Sequence, residues 1–122
     1  MKTQAEILDG LKNFYGTENY YKYRLFNIEI VLTDGVKWLC ENAGCYWLMD
    51  AILSYQKKCR KDDMLKGMQF WKLTVKDKSA VLICERDKDD VAIQQKIEYT
   101  DFPLQEISIW VQNGVALLPS EY

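Results

Sequence analysis

The spacing of apolar residues follows a helical period over the first half of the chain and a strand period over the second. Thr3 and Glu6 have the spacing of a capping box, which opens the first predicted helix. The predicted helices span residues 3–15, 33–43 and 45–58. Between the first two, alternation of apolar and polar residues at 28–32 predicts one short strand.

After Met64 the alternation becomes regular, as in strands with one buried face. It predicts strands near residues 71–76, 80–85, 91–99, 107–111 and 115–118. The pair Asn113-Gly114 predicts a tight turn between the last two strands. The chain is therefore predicted to be a single α+β domain, residues 1–122, in which about three N-terminal helices pack on one face of a C-terminal antiparallel β-meander of four to five strands.

The amino-acid composition excludes several kinds of catalytic and metal site. The chain of 122 residues contains no histidine, which excludes catalytic Ser-His-Asp and Cys-His pairs and histidine-ligated metal sites. The four cysteines form no Cys-x-x-Cys motif, so we expect reduced thiols packed in the core of a cytoplasmic protein. No signal-peptide pattern or long apolar run predicts secretion or a membrane span. We therefore predict a protein without enzymatic activity, metal or cofactor.

One short segment interleaves aromatic and cationic side chains, the mixture that single-stranded nucleic-acid sites use to stack bases and contact phosphates. Its members are Tyr20, Tyr21, Lys22, Tyr23 and Arg24. A second cationic group lies at residues 57–61. The alternative is that some of these tyrosines line the core while the cations are solvated. The net charge of −2 makes a nucleic-acid partner the less favoured prediction.

Large apolar residues exceed what one sheet face can cover. Trp47 and Leu53 extend the apolar surface of the 45–58 helix beyond a single stripe. Trp110 points to the sheet face opposite Ile107 and Ile109, because side chains alternate along a strand. We predict that Trp47, Leu53 and Trp110 bind a partner, and that a symmetric homodimer is somewhat more favoured than a monomer.

Several segments together resemble a family of short uncharacterised proteins from bacteria, phages and other mobile elements. They are FYGTENYYKY (14–23), TDGVKWLCENAGCYWLMDAILSYQ (33–56), QFWKLTV (69–75), IEYTDFPLQEI (97–107) and LPSEY (118–122). The resemblance covers nearly the whole chain and implies no catalytic residue. It implies a context in which small proteins bind a host or defence protein.

Two functions follow as expectations. The first is a non-enzymatic protein-binding domain of a phage or mobile element, for example an inhibitor of a bacterial defence system such as a CRISPR effector. The alternative is a nucleic-acid-binding accessory protein that uses residues 20–24 and 57–61.

Overall fold

The computed structural model describes residues 2–122. Its helices are α1 (Gln4–Leu11), α2 (Asp34–Ala43), α3 (Tyr46–Ser54) and α4 (Gln56–Cys59), and a 3₁₀ helix spans Pro119–Glu121. The predicted capping box is confirmed, since the hydroxyl of Thr3 accepts a hydrogen bond from Glu6 N at 3.2 Å and Thr3 N donates to Glu6 Oε1 at 2.9 Å. The predicted 45–58 helix is divided at Tyr55, which ends α3 and begins α4.

Seven strands form one sheet: β1 (Tyr20–Leu25), β2 (Ile28–Thr33), β3 (Met68–Lys76), β4 (Ser79–Asp87), β5 (Asp90–Ile97), β6 (Glu106–Gln112) and β7 (Val115–Leu117). The five strands predicted after Met64 are all present. Asn113 and Gly114 adopt φ angles of 49° and 83°, as the predicted tight turn between β6 and β7 requires. The predicted count of four to five strands is wrong, because β1 and β2 form a hairpin in the same sheet.

The predicted arrangement also needs correction. The strand order is β1-β2-β7-β6-β3-β4-β5, so β6 returns to pair with β3 instead of continuing the meander beside β5. The β1–β2 hairpin lies between α1 and α2, so the helices do not simply precede the strands. All neighbouring strands are antiparallel except β2 and β7, which run parallel. The α+β class is confirmed, and the sheet is mixed.

The helices cover one face of this sheet. Trp71 of β3 and Ile109 of β6 point toward the helices and are buried together with Leu48 and Ile52 of α3. Along each strand these buried positions alternate with more exposed ones, for example in β3 and β6. The sheet therefore has one face in the core and one face directed away from it.

A pair of buried glutamines fixes α4 on β3. Gln56 and Gln69 are only 3% and 4% exposed, and each side-chain amide donates to the other's oxygen at 2.9 Å. Trp71 Nε1 donates to Gln69 Oε1 at 2.8 Å. Because buried polar groups are costly without partners, this network favours one placement of α4 over others.

The C-terminal residues are hydrogen-bonded to the start of α2. Glu121 Oε1 accepts from Thr33 Oγ1 at 2.6 Å and from Leu118 N at 2.9 Å, and Glu121 Oε2 accepts from Gly35 N at 3.0 Å. Gly35 permits this contact, since a Cβ there would lie 2.6 Å from Leu118 Cδ1 and 2.8 Å from Glu121 Cδ. The 3₁₀ helix thus packs directly against backbone.

Gly35→Ala tests this close approach. Alanine ordinarily stabilises a helix by about 1 kcal/mol relative to glycine, whereas overpacking costs about 1–3 kcal/mol. Leu118 is buried and Glu121 is held by three hydrogen bonds, so we expect the overpacking cost to prevail. Urea denaturation should show that Gly35→Ala lowers the free energy of unfolding by about 1–2 kcal/mol.

The matched control is Gly16→Ala, because a Cβ at Gly16 would meet no atom within 4 Å. That variant should keep the stability of the parent within about 0.5 kcal/mol. A Gly35→Ala protein as stable as the Gly16→Ala protein would contradict the packing described for the 3₁₀ helix.

Candidate functional site

The sheet face directed away from the helices is the principal candidate surface, and we call it the open face. In its centre it presents outward residues of β3, β4 and β6. These include Phe70, Lys72, Ile83, Glu85, Ser108 and Trp110, all of which are half-buried. Apolar and charged side chains therefore alternate across a nearly continuous surface.

An aromatic cluster of Phe70, Trp110 and Tyr122 lies at the middle of the open face. Phe70 and Trp110 are directly opposite each other on β3 and β6, with ring centroids 5.3 Å apart and planes at 83°. The ring of Tyr122 lies 5.5 Å from that of Trp110 at 74° and remains 71% exposed. Edge-to-face contacts of this kind hold rings in defined positions while leaving part of their surface in water.

Two shallow hollows flank the aromatic cluster. One, of about 310 Å³, is lined by Phe70, Trp110, Lys72 and Glu85 among others. The other, of about 490 Å³, extends from Tyr122 toward β1. Its lining includes Tyr20, Thr33, Gln112, Leu117 and Glu121. The open face can therefore receive side chains on both sides of Trp110.

Two of the cations on this face are paired with carboxylates. Lys72 Nζ lies 3.4 Å from Glu106 Oε2, and Arg24 Nη2 lies 2.9 Å from Glu29 Oε2. These are exposed pairs of modest energy, yet they leave little uncompensated positive charge near the aromatic cluster. The open face suits a partner with mixed charge better than a polyanion.

The structure separates the three residues predicted to bind a partner. Trp110 lies on the open face as predicted. Trp47, on α3, instead packs against Phe102 in the loop between β5 and β6, with ring centroids 6.5 Å apart at 90°. Leu53 is 0% exposed, because α3 is buried on more than one side. Trp110 and Trp47 therefore belong to different surfaces, and Leu53 belongs to the core.

The aromatic and cationic segment at residues 20–24 is β1, and its side chains divide between the two faces. Tyr20, Lys22 and Arg24 point to the open face and are exposed. Tyr21 and Tyr23 point toward the helices, where their hydroxyls donate to Asp34 Oδ1 at 2.9 Å and Asp50 Oδ1 at 2.6 Å. Burial and the hydrogen bond to Asp50 raise the pKa of Tyr23. The five residues do not form one surface.

Asp34 positions β1 relative to the helices. Its Oδ2 accepts hydrogen bonds from Glu18 N at 3.0 Å and Asn19 N at 3.2 Å, in addition to the bond from Tyr21. These donors, with Glu18 N the largest contributor, lower the pKa of the Asp34 carboxyl. These hydrogen bonds therefore hold the start of β1 against the start of α2.

The four cysteines and the cations of residues 57–61 are the other groups that the sequence singled out. All four cysteines are buried, and none of them forms a disulfide. The contact with Cys45, followed by burial, raises the pKa of the Cys40 thiol, so Cys40 is protonated at neutral pH. The exposed cations Lys57, Lys58, Arg60 and Lys61 lie on and just after α4, at a distance in the fold from β1. Within residues 2–122 no cluster of three or more Cys, Asp or Glu side chains is arranged to hold a metal ion.

Sequence reasoning missed two members of the aromatic cluster. Phe70 could have been found, because it shares the strand parity of Lys72 and alternates with the inward-facing Gln69 and Trp71. Tyr122 could not, since its position depends on the distant contacts of Glu121. In the described part of the chain, no helix is both long and apolar enough to cross a membrane.

The fold and the surface define a small α+β domain whose sheet is covered by helices on one face and open on the other. The chain belongs to a family of unknown function (DUF6876), whose model matches residues 5–122. The match includes every strand, and it confirms the resemblance to an uncharacterised family. No curated protein and no solved structure matches the chain.

Asp34→Asn tests the anchor of β1. Because the folded pKa of Asp34 is lowered, its stabilising effect is present above the ordinary aspartate pKa of about 3.9 and is lost as the pH falls through the folded pKa. At pH 7, Asp34→Asn should therefore lower the denaturation midpoint. The difference from the parent protein should shrink when the same measurement is repeated between about pH 4 and pH 2.

Asp101→Asn is the control, since Asp101 is an exposed aspartate at a loop position. Its midpoint should follow that of the parent protein at every pH. A gap between Asp34→Asn and the parent that stays constant down to pH 2 would show that the carboxylate charge of Asp34 is not what stabilises this region.

Proposed function

We propose that this protein is a non-enzymatic protein-binding domain whose partner docks on the open face. The observation that carries the proposal is the aromatic cluster, which places Phe70, Trp110 and Tyr122 side by side with part of their surface in water. Tryptophan and tyrosine dominate the binding energy of protein interfaces when they are surrounded by a rim of less important contacts.

The surroundings of the aromatic cluster support a protein partner. Lys72 and Glu106 supply both signs of charge beside it, and the hollows on either side are shallow. Protein interfaces of moderate size combine such an apolar centre with a polar, mixed-charge rim. An enclosed small-molecule pocket, by contrast, buries most of its ligand.

The biological context of the proposal comes from the resemblance of the chain to proteins of phages and mobile elements. In that context the partner is a host or defence protein. An inhibitor of a bacterial defence system, such as a CRISPR effector, would need to recognise such a partner and perform no chemistry itself. This part of the proposal rests on association with the family's setting and not on the geometry of the site.

The alternative, a nucleic-acid-binding accessory protein, has less support. Its five candidate residues divide between two faces of β1, and Arg24 is paired with Glu29. The net charge of −2 provides no general attraction for phosphates. What favours this alternative is that Tyr20 lies in the same hollow as Tyr122, so two rings are available for stacking.

Substitution of Trp110 and Trp47, which are both half-buried, tests the site. We expect Trp110→Ala to weaken binding of the partner about 30-fold or more, because loss of a central aromatic anchor costs about 2 kcal/mol or more. Trp47→Ala should leave binding nearly unchanged, since Trp47 lies on α3 and packs against Phe102 instead of on the open face. The partner is first captured from nuclease-treated host lysate, then purified and titrated by calorimetry with the parent and both variants.

Unfolding is excluded by measuring the stability of both variants. Loss of binding with Trp47→Ala and retention with Trp110→Ala would place the interface on the helices and contradict the proposal. Capture that disappears on nuclease treatment would favour the nucleic-acid alternative instead.

The homodimer predicted from the sequence stays a prediction, and it now concerns the open face, which a second copy would occupy in place of the partner. The apolar residues of α3, such as Leu53, are buried in the core and are not available to a second copy. The surface that remains for a second copy is therefore the one around Trp110. Light scattering at about 50 µM should give twice the 14.4 kDa of one chain. Trp110→Ala should shift that mass toward one chain, whereas a parent protein of 14.4 kDa would contradict the homodimer.

A further inference from the structure

β1 is an edge strand, so only one of its sides is paired within the sheet. It pairs with β2 through a two-residue turn, in which Leu25 lies directly opposite Ile28. In such a hairpin the residues flanking the turn exchange both backbone hydrogen bonds, and every second residue does the same. Leu25, Tyr23 and Tyr21 therefore bond to β2.

The intervening residues direct their backbone groups the other way. The N–H and C=O groups of Tyr20, Lys22 and Arg24 point to the free edge of β1. The hydrogen bonds of β2, the strand paired with β1, are consistent with this pattern. Val31 faces Lys22, and its N–H turns away from β1 to donate to Gly114 O at 2.9 Å. Three residues of β1 thus offer three donors and three acceptors to an incoming strand.

Few of the usual protections block this edge. β1 is six residues long, contains no proline, and pairs with β2 in unbroken register. The opposite edge strand, β5, has an irregular register near Glu85. What protects β1 is charge, because Lys22 and Arg24 accompany the unpaired backbone groups. In the described residues no carboxylate lies within 4 Å of Lys22 Nζ, whereas Arg24 is paired with Glu29.

That charge disfavours pairing of β1 with a second copy of itself. The antiparallel register that engages all three free residues places Lys22 opposite Lys22 of the other copy. A shift by two residues toward the turn places Lys22 opposite Arg24. A shift by two residues away from the turn places Tyr20 of each copy opposite Lys22 of the other. This register avoids the repulsion between cations, but it leaves Arg24 unpaired. Like charges directly opposite destabilise a sheet, so a strand carrying carboxylates at these positions fits better.

We propose that the free edge of β1 is a strand-addition site for an extended acidic segment of a partner protein. The segment pairs with Tyr20, Lys22 and Arg24 and places a carboxylate opposite Lys22 on the open face. Its alternate side chains contact the outer sides of Tyr21 and Tyr23 and are apolar. This inference rests on the proposed function in that the partner is a protein, but it does not depend on the aromatic cluster.

The probe is a ten-residue peptide of alternating glutamate and valine with blocked ends, and its counterpart alternates lysine and valine. Amide hydrogen exchange of the ¹⁵N-labelled full chain is measured with each peptide up to millimolar concentration. We expect the glutamate peptide to slow exchange at the amides of Lys22 and Arg24 at least tenfold. Exchange at Tyr21 and Tyr23, already bonded to β2, should change little. The lysine peptide should bind at least tenfold more weakly.

Charge reversal provides the decisive comparison. Lys22→Glu should invert the preference, so that the lysine peptide binds more tightly than the glutamate peptide. Lys96→Glu makes the same change of charge at an exposed position on β5 and should leave the preference of the parent protein intact. Trp110→Ala should bind the glutamate peptide as the parent does.

Three outcomes would overturn the inference. They are unchanged exchange at Lys22 and Arg24 at the highest peptide concentration, protection that is equal for both peptides, and binding that is lost with Trp110→Ala. The last would assign the peptide to the aromatic cluster, which overturns the edge site and leaves the proposed function standing. If the peptide still binds at β1 but binding of the natural partner does not depend on Trp110, the edge site stands. The docking of the partner on the aromatic cluster would then be wrong.

Discussion

The sheet depends on a short parallel pairing between β2 and β7. Only Val31 with Val115 and Leu32 with Ala116 are in register there, and Val31 N donates to Gly114 O at 2.9 Å. Without this pairing the β1–β2 hairpin would be separate from the five other strands. The bonds of Glu121 to Thr33 and to the start of α2 reinforce the connection from outside the sheet. The C-terminal residues thus hold the β1–β2 hairpin and the start of α2 in place.

This connection also makes the open face one surface. It brings Tyr20, from β1, into the same hollow as Tyr122, and Tyr122 in turn packs on Trp110. The aromatic residues therefore form a row that crosses from the hairpin to β3, although they come from distant parts of the chain. A protein-binding surface built in this way is only as rigid as the short pairing beneath it, because each ring is oriented by a different strand or by the 3₁₀ helix.

Local chemistry explains which features could be predicted. The turn at Asn113-Gly114 is encoded by two adjacent residues, and the outward direction of Trp110 follows from strand alternation. β1 was missed because tyrosine suits either face, so the alternation of Tyr with Lys and Arg at residues 20–25 carries no clear apolar period. The apolar excess around Leu53 was interpreted as a binding surface, but a helix that is apolar on several sides can also be buried on several sides, as α3 is here. The β2–β7 pairing is non-local, and no short segment encodes it.

The position of β7 along the chain has a consequence for folding. The β1–β2 hairpin, the helices and the β3–β5 meander each depend on nearby residues, whereas the contact of Glu121 with Thr33 spans 88 positions. Contacts of such long separation close late, because the entropy of the intervening chain must be lost first. During synthesis β2 therefore has an unpaired side until β7 emerges. For most of its assembly the nascent chain carries an additional exposed strand edge, at which it is open to chaperones and to mispairing.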